Sequence, residues 1–230
     1  MTLEMISYNI QYGKALDDVA KWITGKNPDI FCLQEFPEDE IGRFKPDYQQ
    51  LFVSSFNKGG RTYGELIAYK KRMRLVSAFG IDLGVKRPIP LISSSSGRRT
   101  ALVASLETQI GNIIVGNIHL EWLARSKYKL NQFERVLASV NQAYPDLELP
   151  IILAGDYNYS HIFSGSGLKE YAGEAGYKLA GELNTHSFLA LEHQVDHVFY
   201  RGCLVKDLRT EEVDYSDHKP LLFKVSRSGG

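Results

Sequence analysis

Cysteine is scarce in this chain: Cys32 and Cys203 are the only two, each inside an apolar stretch. CxxC-type spacing is absent, which argues against a structural zinc site, and two buried free thiols in a reducing compartment is the plain reading. An excess of one charge sign is also lacking. Lys+Arg and Asp+Glu each number 27, so the formal net charge is zero. That balance argues against a protein that holds nucleic acid mainly by bulk positive charge, while leaving room for a local basic groove. No apolar run approaches membrane-spanning length. Met1-Thr2-Leu3-Glu4 runs directly into a strand-like segment without a basic and apolar leader, so the expected location is the cytoplasm. No internal repeat and no dividing linker is visible. The 230 residues are expected to form one domain, residues 1–226, followed by a disordered tail at 227–230.

What is present is ordinary in bulk, 43% hydrophobic and 23% charged residues, as in soluble globular proteins. The informative stretch is Ile151-Ile152-Leu153-Ala154-Gly155-Asp156-Tyr157-Asn158. An apolar run of branched residues reads as a buried strand, and its polar end as the rim where the strand leaves the core. Residues i and i+2 of a strand share a side, so Asp156 and Asn158 are expected to face one object. Oxygen donors of this kind suit a hard cation such as Mg²⁺. Alone, a strand ending in an Asp/Asn turn would explain the stretch equally well.

Along the chain, Leu3–Ile10 reads as a strand closed by Asn9-Ile10-Gln11-Tyr12-Gly13. Leu16, Val19, Ala20 and Ile23 recur at helical spacing to about Gly25. Ile30–Leu33 is an apolar strand followed at once by Gln34-Glu35. Further strands are expected at Gln49–Val53, Glu65–Lys70 and Leu75–Ile81, with Lys70-Lys71-Arg72-Met73-Arg74 a solvated hairpin tip. Ser93–Gly97 reads as a flexible loop, leading through Arg98-Arg99 into the strand Thr100–Leu106. After the turn Gly111-Asn112, Ile113–Leu120 delivers Asn117 and His119. Leu130, Phe133, Val136, Leu137 and Val140 mark the longest helix. A short helix is expected near Leu168–Ala175, and strands at Gln194–Tyr200, Leu204–Val213 and Pro220–Val225. Strands outnumber helices about two to one, both as hairpins and as helix-separated units, which favours stacked sheets with outer helices.

Six sites in chain order place acidic, amide or imidazole groups at the ends of apolar stretches. They are Asn9, Glu35, His119, Asp156 with Asn158, Asp196 with His197, and Asp217-His218. Each has a dull explanation as a turn or a hydrogen-bonded core residue; six together do not. Leu33-Gln34-Glu35, Gly155-Asp156-Tyr157-Asn158, Val195-Asp196-His197 and Ser216-Asp217-His218-Lys219-Pro220, in this order and spacing, resemble the endonuclease/exonuclease/phosphatase superfamily with its deoxyribonuclease I-like fold. The resemblance spans Asn9 to His218. It implies an α+β protein, a four-layer α/β/β/α sandwich of two mixed β-sheets with helices on both outer faces.

The resemblance also implies roles. Glu35 would be the main ligand of a Mg²⁺ ion, with Mn²⁺ as a substitute, Asn9 beside it and Asp217 completing the metal-side carboxylates. Such an ion offsets charge as oxygen attacks phosphorus. Asp156 would orient or deprotonate the attacking water, and Asn158 would hold the water or a phosphate oxygen. His218 would stabilise the transition state, Asp196 would fix its tautomer, and His119 would act as a second donor across the phosphate. Gln11 stands where many nucleases of the superfamily carry Asp, so one tightly held ion is expected. His197 is expected to be structural or substrate-facing. His119-Leu120-Glu121, Arg125 and Gln132 are similar to the 5′-tyrosyl-DNA phosphodiesterase branch.

Two substrate classes compete at this point. DNA ends or lesions are favoured by the basic residues near Arg72, Arg98 and Arg125 and by the aromatics Tyr159 and Phe163, which would stack on bases. Arg125, Tyr159 and Arg98 are therefore the expected substrate-binding residues. A small-molecule or lipid phosphate is the alternative, although no membrane-inserting hairpin and no lysine-rich inositol-phosphatase signature is present. A catalytically dead binding module is disfavoured, because Glu35, Asp156, Asn158, Asp196 and His218 are all retained. No obligate protein partner is called for, and a monomer is expected.

Overall fold

The structure is a computed structural model and describes residues 1–85, 96–160, 165–188 and 191–227. Two mixed sheets of six strands each pack face to face. The first runs in the order β13 (Cys203–Thr210), β14 (Leu221–Arg227), β1 (Leu3–Asn9), β2 (Ile30–Pro37), β4 (Arg61–Lys70), β3 (Tyr48–Lys58). In the second, β5 (Arg74–Val85) pairs with β6 (Ser96–Thr108), followed by β7 (Gly111–His119), β8 (Ile151–Asp156), β12 (Asp196–Arg201) and β9 (Lys178–Leu179). A separate two-stranded ribbon joins β10 (His186–Phe188) to β11 (Leu191–His193). The first residues of β6, Ser96 and Gly97, also pair with β3 at Asn57 and Phe56, tying the sheets at one edge.

Alternation along the strands sorts the apolar residues into three layers of core. Met5, Cys32, Ile67, Val115, Ala154 and Val198 fill the space between the sheets. Helix α2 (Ser126–Ala143) lays Phe133, Val136, Leu137 and Val140 on the outer face of the second sheet, where α3 (Gly167–Glu174) adds Leu168 and Ala172. Helix α1 (Leu16–Lys26) covers the first sheet with Leu16, Val19 and Ile23. It ends where Asn27 turns left-handed at φ +53° and donates its N–H to Ile23 O, just before Pro28. Each such buried aliphatic side chain contributes roughly 1.5–3 kcal/mol of apolar burial. The four-layer arrangement is the one implied by the resemblance.

Several details depart from the sequence reading. Lys70–Arg74 is not a hairpin tip, because β4 and β5 lie in different sheets and the turn crosses between them with Met73 buried. Its two arginines are neutralised in place, Arg72 by Asp29 and Arg74 by Glu107. β14 continues to Arg227, whose Nε donates to Ile110 O at 2.6 Å, so the expected tail does not begin there. Ser93–Ser95, Phe163 and residues 228–230 lie outside the described residues. Cys32 and Cys203 are buried free thiols, both pushed up to about 12 by burial. Among the described residues, no helix is long and apolar enough to cross a membrane.

At one end of the sandwich the apolar filling gives way to a polar belt. Gln34 Nε2 donates to Asn117 Oδ1 at 2.6 Å, and Asn117 Nδ2 donates to the carbonyls of Leu33 and Leu66 at 2.8 and 2.9 Å. These buried groups stitch β2, β4 and β7 across the interface, and the candidate site lies directly on them.

Candidate active site

Strand register brings the site together. His119 of β7 and Asp196 of β12 are the partners of Asp156 on either side of β8. The close approach needs Gly155, which sits at φ +151° and where a Cβ would fall 1.9 Å from Ile118 O. Asp156 is the hub. Its Oδ2 accepts Asn9 Nδ2 at 2.9 Å and Asn158 Nδ2 at 3.0 Å, while Oδ1 accepts the Asn158 amide at 2.7 Å. Asp156 and Asn158 thus meet as expected, but through a left-handed Asn158 at φ +50° after the strand has ended, not through strand alternation. Lys129 on α2 secures that turn by donating to Asn158 O.

Two histidines approach the hub. His218 Nε2 is 3.8 Å and His119 Nε2 3.7 Å from Asp156 Oδ2. Behind His218, Nδ1 lies 2.8 Å from Asp196 Oδ2. Burial opposes its charge, but the Asp196 and Asp156 carboxylates outweigh burial and lift His218 to about 10. Behind His119, Nδ1 faces Glu65 Oε1 at 3.5 Å, just beyond hydrogen-bond range, and both atoms are buried without a partner. Burial, with help from Arg99 and His218, holds His119 well below the usual histidine range. Burial lifts the Glu65 carboxyl to about 8, although Thr100 Oγ1 donates to it at 2.6 Å.

Glu35 enters from β2 at a bulge between Leu33 and Phe36, with its own φ at +60°. The bulge turns toward the site a side chain that alternation alone would direct elsewhere. Its Oε2 accepts the Tyr12 amide at 3.0 Å, while Oε1 has His119 Nε2 only at 3.8 Å. Burial and Asp156 raise this carboxyl to about 7 against the opposing pull of Arg99 and His218. A buried carboxylate held uncomfortably among other oxygens fits a hard divalent cation. Among the described residues, Asp156, Asp196 and His218 also offer ligand atoms within 4.8 Å of one another. Within that trio, His218 Nδ1 and Asp196 Oδ2 already engage each other at 2.8 Å.

Other expected site residues fall elsewhere. Arg98 turns outward to Asp82 at 3.3 Å; its neighbour Arg99 is the buried one, stacked 4.4 Å over Phe56, with Nη1 lacking a partner. Tyr159 is buried in the core under α2 and α3, so it presents no face for stacking. Arg125 stands exposed at the N-cap of α2, outside the buried cluster. Asp217 is exposed, 3.9 Å from His186 Nε2, and is not part of the buried trio. His197 is fully buried, its Nε2 2.9 Å from Tyr159 O, a structural position. Glu65 and Arg99 were not singled out from sequence, although Glu65 shares the inward alternation of Ile67 and Tyr69 on β4.

The sequence matches the Endonuclease/Exonuclease/phosphatase family over residues 6–218, and the chain belongs to that family. It is 25% identical over 199 residues to Protein angel homolog 1 of Rattus norvegicus, a match covering 78% of this chain and 29% of that protein. The chain thus spans less than a third of the length of that relative. Its fold superposes on ANGEL2, a 2′,3′-cyclic phosphatase, with a TM-score of 0.73 at 20% identity, covering 98% of this chain and 95% of the other. A humanized D. rerio TDP2 gives a TM-score of 0.75 at 19% identity, covering 98% and 99%.

Proposed function

We propose that this protein is a divalent-cation-dependent phosphoesterase that cleaves a phosphodiester by in-line attack of water, with DNA ends or lesions as its substrate class. The observation that carries the proposal is the convergence of two carboxylate-backed histidines, Asp196–His218 and Glu65–His119, on one oxygen of Asp156. A binding module has no use for such an arrangement.

Asp156 orients the attacking water and takes its proton. Asn158 spends its amide protons on Asp156 and Leu120 O, so its contribution is Oδ1, an acceptor suited to a water proton. His218, charged at neutral pH, donates from Nε2 to a non-bridging oxygen as charge builds there. Glu65 protonated and His119 neutral is the pairing that satisfies both orphaned atoms, and it leaves Nε2–H of His119 as a neutral donor. Arg99 offers its unpartnered Nη1 to the same phosphate. Glu35, with Asn9, would hold one Mg²⁺ or Mn²⁺ ion, which when bound compensates the charge of the phosphoryl oxygens.

Next to His119 lies an aromatic wall. Tyr12, Phe56 and Tyr63 stand 5.5–6.1 Å apart, Phe56 is 6.1 Å from His119, and Lys58 sits 3.4 Å over Tyr12. Phe56 and Tyr63 are buried and back the half-buried Tyr12, so Tyr12 with Lys58, in place of Tyr159 and Arg98, is the surface that would meet a base or aromatic group. A second reading is hydrolysis of a 2′,3′-cyclic phosphate, favoured by the likeness to Protein angel homolog 1 and ANGEL2 and by the absence of net positive charge. Comparing kcat/KM on 5′-tyrosyl, abasic and plain DNA ends with that on 2′,3′-cyclic-phosphate RNA separates the two. A preference for a DNA end is the expected result. Activity confined to the cyclic phosphate would replace the DNA assignment.

A further inference from the structure

Asp196 and His218 arrive from opposite sheets, Asp196 opening β12 and His218 preceding β14. A contact of 2.8 Å between them therefore needs something to hold the two segments in register. The residue that touches both is Thr185, fully buried just before β10. Its hydroxyl oxygen accepts the backbone N–H of Val195 at 3.2 Å and of Asp196 at 3.1 Å. Its carbonyl accepts the Lys219 N–H at 2.7 Å, one residue past His218, and its own N–H donates to His193 O at 3.2 Å. The next residue, His186, bridges to His218 along the backbone and sets its ring 4.8 Å from the His218 ring. On the far side, Ser216 Oγ accepts the His218 amide at 3.2 Å and donates to Asn9 O at 2.7 Å.

We infer that Thr185 is a positioning residue of the phosphoesterase reaction: its hydroxyl fixes the Asp196 backbone while its carbonyl fixes that of Lys219, locking the Asp196–His218 pair across the two sheets. This rests on the proposed use of that pair in catalysis. Valine matches threonine in shape but cannot accept the two N–H groups, leaving buried donors unpaired. The Asp196 carboxylate then shifts from the imidazole, and misplacement on the ångström scale costs about a hundredfold in rate. Serine keeps the acceptor and loses only a methyl.

The test compares Thr185→Val, Thr185→Ser and wild type by proton NMR with labelled histidine and by steady-state kinetics, with thermal unfolding as the folding control. The low-field Nδ1–H resonance of His218 reports the bond to Asp196. Thr185→Val is expected to shift or abolish that resonance and lower kcat by about ten- to a hundredfold with KM little changed, while Thr185→Ser stays within about threefold. An unaltered resonance and kcat in folded Thr185→Val protein overturns the inference. So does a Thr185→Ser protein as impaired as Thr185→Val, which would assign the effect to the methyl group. Should the wild type hydrolyse no phosphoester while the resonance still depends on the hydroxyl, Thr185 keeps its positioning role and the catalytic reading fails.

Discussion

His119 and His218 address the same oxygen of Asp156 from nearly equal distances, 3.7 and 3.8 Å, yet they are held in opposite charge states. The difference lies in what stands behind each ring. Asp196 makes a full hydrogen bond to His218 and keeps it charged. Behind His119, Glu65 is itself raised to about 8 by burial, and burial with Arg99 and His218 holds His119 neutral. One site thereby holds a charged imidazole and an uncharged one within 4 Å of a single acceptor, a division of labour suited to a dianionic transition state.

Removing the charged donor affects chemistry before binding. His218→Ala is expected to lower kcat by roughly two to four powers of ten with KM changed far less. Steady-state kinetics on the preferred substrate checks this, and a loss confined to KM contradicts the role.

Glu65→Leu tests the neutral pair. Leucine is of similar size but can neither donate to His119 Nδ1 nor accept from Thr100. A fall in kcat of about ten- to a hundredfold is expected, the size typical of losing a partner that orients a site group. Full activity would make Glu65 a bystander.

Site carboxylates raised by burial cost stability at neutral pH. Glu35 is held at about 7 against an ordinary 4.5. Its folded-state advantage is complete below the unfolded value and is lost as pH rises through about 7. Glu35→Gln is therefore expected to stabilise the cation-free protein at pH 8, by up to about 3 kcal/mol, and to change little at pH 5. Thermal unfolding in EDTA at both pH values measures it; equal shifts at the two would contradict the burial of a strained charge.

The same values frame the pH–rate profile. At limiting Mg²⁺ the rate is expected to rise through about pH 7 as Glu35 ionises, and to fall near pH 10 as His218 loses its proton. Raising Mg²⁺ should carry the acid limb downward and leave the basic limb in place. An acid limb indifferent to Mg²⁺ would detach Glu35 from the cation.

Much of this site is legible in the sequence because each backbone segment announces it: an apolar run ends and a polar group follows. Asn9, His119 and Asp156 carry that signal at the end of a strand, Asp196 and His218 carry its mirror image ahead of one, and register then assembles them. Glu35 carried it for a partly different reason, since β2 runs on to Pro37 and a bulge turns the side chain inward. What stayed hidden depends on facing. Glu65 lies mid-strand and looks like any charge until alternation is fixed by Ile67 and Tyr69. Arg98 and Arg99 are adjacent, and only the path of β6 decides which is buried. Tyr159 follows Asn158 so closely that it reads as a loop aromatic, but the left-handed turn sends it into the core. The ribbon of β10 and β11 is too short to announce itself by pattern.

The central claim is that Asp156 is the point on which the chemistry turns. Its most direct test is hydrolysis of end-labelled DNA by wild type and Asp156→Asn, each in Mg²⁺ and in EDTA. Turnover by wild type in Mg²⁺ is predicted, with activity lost in EDTA and restored by added Mg²⁺. Asp156→Asn, folded by circular dichroism, is predicted to be slower by at least about two powers of ten. Near-full activity of Asp156→Asn, or turnover that survives the chelator, would contradict the account.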